Sequence, residues 1–103
     1  MEVVFGVKLS SIEEAYVWVE RATGLVAEAR ENDAWGGGYY AFGEQDGERM
    51  LLVNNTDPID GEPIRDFPNW SVILCAEVTD AASPVLQNLE SDSEHFERLS
   101  SKA

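Results

Sequence analysis

The stretch from Trp70 to Val78 does most to restrict what this chain can become. Trp70, Val72, Leu74, Ala76 and Val78 fall on one side of an extended backbone, and Ile73 and Cys75 fall on the other. Period-two spacing marks a strand, and apolar groups on both sides mark one covered on both faces. Such a strand belongs in the interior of a sheet.

The rest of the chain supplies neighbours for it. Val3, Phe5, Val7 and Leu9 alternate with Val4, Gly6 and Lys8, a second strand pattern. Ser10-Ser11-Ile12-Glu13-Glu14 then offers a serine cap, a capping box between Ser11 and Glu14, and acids at the positive end of a helix. Ile12, Ala15, Tyr16, Val19 and Ala22 recur at helical spacing with Trp18 at the edge of the stripe, and Gly24 stands where the helix should stop. Leu25 to Glu31 alternates again, with Leu25, Ala27 and Ala29 as a small-residue side that would accommodate a helix.

Asn32-Asp33 is turn chemistry, and Trp35-Gly36-Gly37-Gly38-Tyr39-Tyr40 follows as a glycine corner flanked by aromatics. The corner is expected to let Trp35 and Tyr39 stand at the sheet edge while Tyr40 and Phe42 pack inward. Tyr39 to Gly43 and Arg49 to Asn54 read as two strands joined by a turn at Gln45-Asp46-Gly47-Glu48. Three prolines make residues 55–68 a long acidic loop. After the Trp70–Val78 strand, Asp80 or Ser83 can cap a helix with Pro84 in its first turn, carrying Val85, Leu86 and Leu89. Ser91-Asp92-Ser93-Glu94 would restart a second turn of helix carrying Phe96 and Leu99, leaving 100–103 frayed. The pattern predicts one α+β domain over 1–103, in the order β-α-β-β-β-β-α. Its sheet would be mostly antiparallel, of about five strands, with an N-terminal and a C-terminal helix on one face.

Charge narrows the function. Twenty acidic residues against seven basic ones leave a net charge of −13 in 103 residues, and the acids are spread along the whole chain. This field opposes direct binding to nucleic acid or to an anionic membrane and attracts a basic protein. A single cysteine, no basic apolar leader and no apolar run of about 20 residues lead us to expect a cytoplasmic protein.

Catalytic constellations are sparse. His95 is the one histidine, amid Glu94 and Glu97, and Cys75 sits in the most apolar strand, where a thiol is ordinarily inert packing. No nucleophile elbow or phosphate loop occurs, and the glycine run neither opens a helix nor precedes a lysine. One cysteine and one histidine do not make a zinc site, and the acids of the long loop lack calcium-loop spacing. We therefore expect no enzyme, no catalytic residues, no cofactor and no metal. Surface recognition is the default, with Trp35, Tyr39 and Trp70 as aromatic anchors and Asp57, Asp60, Glu62 and Asp66 facing a basic partner.

Glu28-x-Arg30-Glu31, Trp35-Gly36-Gly37-x-Tyr39-Tyr40, the hairpin ending Leu51-Leu52-Val53-Asn54 and the acidic loop leading to Phe67-Pro68 together resemble a known pattern. Over residues 24–76 the chain is similar to the small immunity proteins of bacterial polymorphic-toxin and contact-dependent growth inhibition systems. The resemblance implies a bacterial cytoplasmic antitoxin that binds one cognate toxin domain, often a nuclease, and blocks it. Two other readings stay open: a regulatory or adaptor domain that binds another protein, with pairing as a homodimer through a sheet edge as one form of it, and a small-molecule-binding or hydrolytic domain using the acidic loop with Tyr39 or Tyr40.

Overall fold

The computed structural model describes residues 2–32, 37–43, 48–56, 61, 67, 69–79 and 83–102, with side chains through Leu99. Strands β1 (Glu2–Val7), β2 (Glu28–Asn32), β3 (Gly37–Gly43), β4 (Arg49–Asn54), β5 (Val72–Glu77) and β6 (Phe96–Lys102) form one sheet. Helix α1 (Ile12–Thr23) follows β1, and α2 (Pro84–Ser91) precedes β6. The spatial order is β2-β3-β4-β5-β1-β6, and every neighbouring pair is antiparallel. The expected α+β order therefore holds, with a sixth strand appended.

Strand β5 lies between β4 and β1, and Val72 through Ala76 are all buried. On one face, Val72, Leu74 and Ala76 join Val3, Phe5 and Val7 of β1, Phe42 of β3, Met50 and Leu52 of β4 and Phe96 of β6. Ile12, Ala15 and Val19 from α1, and Leu86 and Leu89 from α2, close over this layer. On the other face, Ile73 and Cys75 meet Val4 and Val53 in a second, smaller cluster. Full burial of one such side chain is worth about 1.5–3 kcal/mol, so the larger cluster is the main source of stability.

Local chemistry sets the helix ends. The Glu14 N–H donates to the Ser11 hydroxyl oxygen at 3.2 Å, so the cap read from the sequence is made. Gly24 closes α1 at φ 75°, its N–H donating to the Glu20 carbonyl. Tyr16 stacks on Tyr40 with ring centroids 4.7 Å apart, which ties α1 to β3. Burial there, with the nearby Glu13 carboxylate, pushes the Tyr40 phenol above its ordinary pKa. Tyr40 and Phe42 thus point inward, as expected.

Four expectations are corrected. The tail is not a helical extension: Phe96 to Lys102 pairs with β1, placing Phe96 on the helical face, and Leu99 packs with the second cluster. A bulge falls between the partners of Val4 and Phe5, so Leu99 departs from simple alternation and its strand signal is obscured. Residues 100–102 are strand rather than frayed end, while Ala103 lies outside the described residues.

The second correction concerns β2, which starts at Glu28 and is exposed at every position rather than backing a helix. Before it, the Leu25 N–H donates to the Thr23 hydroxyl and the Ala27 N–H to the Glu20 carboxylate at 2.8 Å. These side-chain bonds hold 25–27 against α1 instead of in the ladder. Third, Trp70 does not share a face with Val72 and Leu74. It precedes the strand, where alternation does not apply, and packs on the opposite side. Fourth, Ser83 caps no N–H; its hydroxyl donates instead to the Glu48 carboxylate, while Pro84 does open α2. Asp80 lies outside the described residues, as do Trp35, Gly36 and the turn residues Gln45, Asp46 and Gly47.

The two described glycines of the corner differ. Gly37 has φ 93°, a conformation that side chains rarely adopt, whereas Gly38 is not in that region and a Cβ there meets nothing within 4 Å. Gly37→Val should therefore destabilise the protein by about 1–3 kcal/mol in urea denaturation. Gly38→Val should stay within about 0.5 kcal/mol of the wild type. Equal effects from the two would contradict this division of roles.

Candidate partner-binding face

Among the described residues the sheet has a helical face and a helix-free face, and the ladder registers say which side chains share the latter. Across it run Arg30 of β2, Tyr39 of β3, Val53 of β4, Ile73 of β5 and Gly6 of β1. The next row holds Glu28, Ala41, Leu51, Cys75 and Val4, and the margin beyond carries Arg49, Glu77 and Glu2. An apolar centre of Val4, Val53, Ile73 and Cys75 is thus bordered by charge, with Tyr39, Leu51, Phe67, Trp70 and Leu99 packed half-buried around it.

Trp70 reaches this face because Gly6 makes room for it. A methyl group added at Gly6 would fall inside the Trp70 indole, so the ring lies directly on the β1 backbone. Asn55 holds the segment in place from just past the end of β4. Its side-chain amide donates to the Phe67 carbonyl at 3.0 Å and to the Trp70 carbonyl at 3.1 Å, and its backbone N–H donates to the Ser71 carbonyl at 2.8 Å. The Trp70 N–H in turn donates to the Phe67 carbonyl at 3.0 Å, closing the turn. Asn55 is 2% exposed, and a buried amide with several partners is a structural clamp.

At the other side of the face, Arg30 lies opposite Tyr39 in the ladder and bonds the Glu28 carboxylate at 3.1 Å. These contacts, Glu28 first, raise the Arg30 pKa further above its already high value. The Arg30 cation therefore stands, half exposed, at the rim beside an aromatic ring.

Of the residues singled out in the sequence, Tyr39 and Trp70 come onto the same face. Trp35, Asp57, Asp60, Glu62 and Asp66 lie outside the described residues. Asn55, Phe67 and Leu99 were not anticipated. A lone asparagine at a strand end carries no distinguishing signal, and Leu99 was hidden by the bulge.

Cys75 belongs to the helix-free face, whereas His95 stacks on Trp18 of α1 at 4.1 Å on the helical side, so the two are not brought together. His95 Nδ1 lies 2.8 Å and 3.0 Å from the two Asp92 carboxylate oxygens, and the Arg21 guanidinium sits 4.9 Å from the Trp18 ring centre. This cluster lies beside an open groove of about 480 Å³ between α1 and the end of α2. Its rings and ions partner one another. Among the described residues, no three His, Cys, Asp or Glu side chains gather to hold a metal, and no helix is long and apolar enough to cross a membrane.

No protein-family model matches this chain, and a search of curated proteins finds no significant match. What the fold and the face define is an antiparallel α+β protein with one helix-covered face and one aromatic, charge-bordered face.

Asn55→Asp tests the clamp, because it replaces a donor with an oxygen facing two carbonyl oxygens at nearly the same volume. Urea denaturation should show a loss of about 1–3 kcal/mol. Unchanged stability would mean the Phe67–Trp70 turn is held by something else.

Proposed function

We propose that this protein is an immunity protein, a cytoplasmic antitoxin that binds one basic toxin domain and blocks its active surface without catalysing a reaction itself. The observation that carries the reading is that Tyr39 and Trp70 stand on the same helix-free face, on either side of an apolar centre with charge at its margins. Aromatic anchors on a desolvated floor, rimmed by polar groups, are the usual makeup of a protein-binding hot spot. The charge of −13 suits a partner whose own substrate is an anion such as nucleic acid.

Recognition on this reading has two components. Long-range attraction between an acidic inhibitor and a basic toxin raises the association rate and weakens with salt. Asp57, Asp60, Glu62 and Asp66 belong to this component, and Trp35 is the further anchor expected from the sequence. Short-range affinity then comes from Tyr39 and Trp70, where truncation raises the dissociation rate.

The test uses the toxin domain encoded next to this protein's gene. Co-expression should rescue growth, and the purified proteins should bind with an association rate that falls as salt rises. Tyr39→Ala should weaken binding by about tenfold or more, equivalent to about 1.4 kcal/mol. Reversing Asp57, Asp60, Glu62 and Asp66 together should slow association while changing dissociation little. Failure to rescue growth, or full affinity in Tyr39→Ala with the fold intact by circular dichroism, would overturn the reading.

A further inference from the structure

We propose that the β2 edge pairs with the same edge of a second copy of this chain, antiparallel about Ala29, so that two six-stranded sheets run on as one. The two edges of the sheet are unlike. Strand β6 is interrupted by a bulge where it meets β1, a feature that turns an edge away from further pairing. Strand β2 pairs with β3 in unbroken register over five residues, and all five of its side chains are exposed. It contains no proline and no lysine, but Glu28, Arg30 and Glu31 are charged, so a pairing strand must match them in sign. Val26, just before it, is 79% exposed and is the exposed large apolar side chain among the described residues.

The order of charges chooses both the occupant and the register. A two-fold axis through an antiparallel pair places one residue opposite its own copy. With Ala29 at the axis, Glu28 of each copy faces Arg30 of the other, giving two opposite-charge pairs on the helix-free side. With Arg30 at the axis, two guanidinium groups would face each other; with Glu31 at the axis, two carboxylates would. The Ala29-centred register is therefore the one that β2 favours. The Glu28 and Arg30 side chains, 68% and 51% exposed, are able to reach across the edge. The charge of −13 on each copy opposes association, so the dimer is weak and forms best where salt screens the long-range repulsion.

Analytical ultracentrifugation of the full chain at moderate salt, from low-micromolar to submillimolar concentration, tests this directly. The wild type should pass from monomer to dimer across that range. E28R and R30E should each weaken self-association by roughly tenfold, because each sets like charges opposite one another. The double variant E28R/R30E should dimerise again, and an equimolar mixture of the two single variants should form a heterodimer. Net charge alone predicts a different pattern, since E28R makes the protein less acidic and would strengthen association. The proposal is overturned if the wild type stays monomeric throughout, or if E28R dimerises at least as well as the wild type. Both substitutions are on the exposed surface, so circular dichroism should report an unchanged fold.

Discussion

Burying β5 on both faces dictates where the other elements must lie. One side of the strand is covered in the ordinary way, by two helices that contribute Ile12, Ala15, Val19, Leu86 and Leu89. The other side would leave Ile73 and Cys75 over a bare sheet, yet Ile73 is fully buried. The described cover is small: the turn carrying Phe67 and Trp70, together with Tyr39, Leu51 and Leu99. A short irregular segment can serve this purpose only if its backbone groups are bonded, and Asn55 supplies three of those bonds from the end of β4. Asn55 and Gly6 thus matter through what they permit, namely an indole lying flat on the β1 backbone.

The same economy explains why the side chains proposed for recognition are also ones that cover the helix-free face. Trp70 is half-buried because it covers the sheet, and half-exposed because nothing described covers it in turn. A side chain in that position is already ordered before a partner arrives, which lowers the entropic cost of binding. Charge is arranged around this centre rather than within it, with Arg30 and Glu28 at one margin and Arg49, Glu77 and Glu2 at another. The helical side lacks this arrangement. Its aromatic pairs, Tyr16 with Tyr40 and Trp18 with His95, are spent on joining helices to strands and turns.

Much of this was legible in the residues themselves. The two-sided apolar run located β5, the Ser11 cap and Gly24 bounded α1, and the alternation of Val3, Phe5 and Val7 located β1. The failures share a physical cause: each lies where a non-local or side-chain interaction overrode the local period. Thr23 and Glu20 hold residues 25–27 out of the strand, and the bulge at Leu99 disguises β6 as a helical tail. Trp70 lies beyond the strand whose alternation was extended to it. Tyr39 and Trp70 were named as recognition residues for being aromatic and near strand ends, and their common face became apparent only from the ladder registers. Asn55 carried no signal, because a clamp is defined by carbonyls twelve and fifteen residues away.

On the proposed function, a partner covers the helix-free face of the sheet. Covalent footprinting of the protein, free and bound to the toxin domain encoded beside its gene, measures this most directly. Labelling should fall at Tyr39, Leu51 and Trp70 on binding, while the outer sides of α1 and α2, at Glu13 and Gln87, label as before. Protection confined to Glu13, Gln87 and their helices, with Tyr39 and Trp70 unchanged, would contradict it.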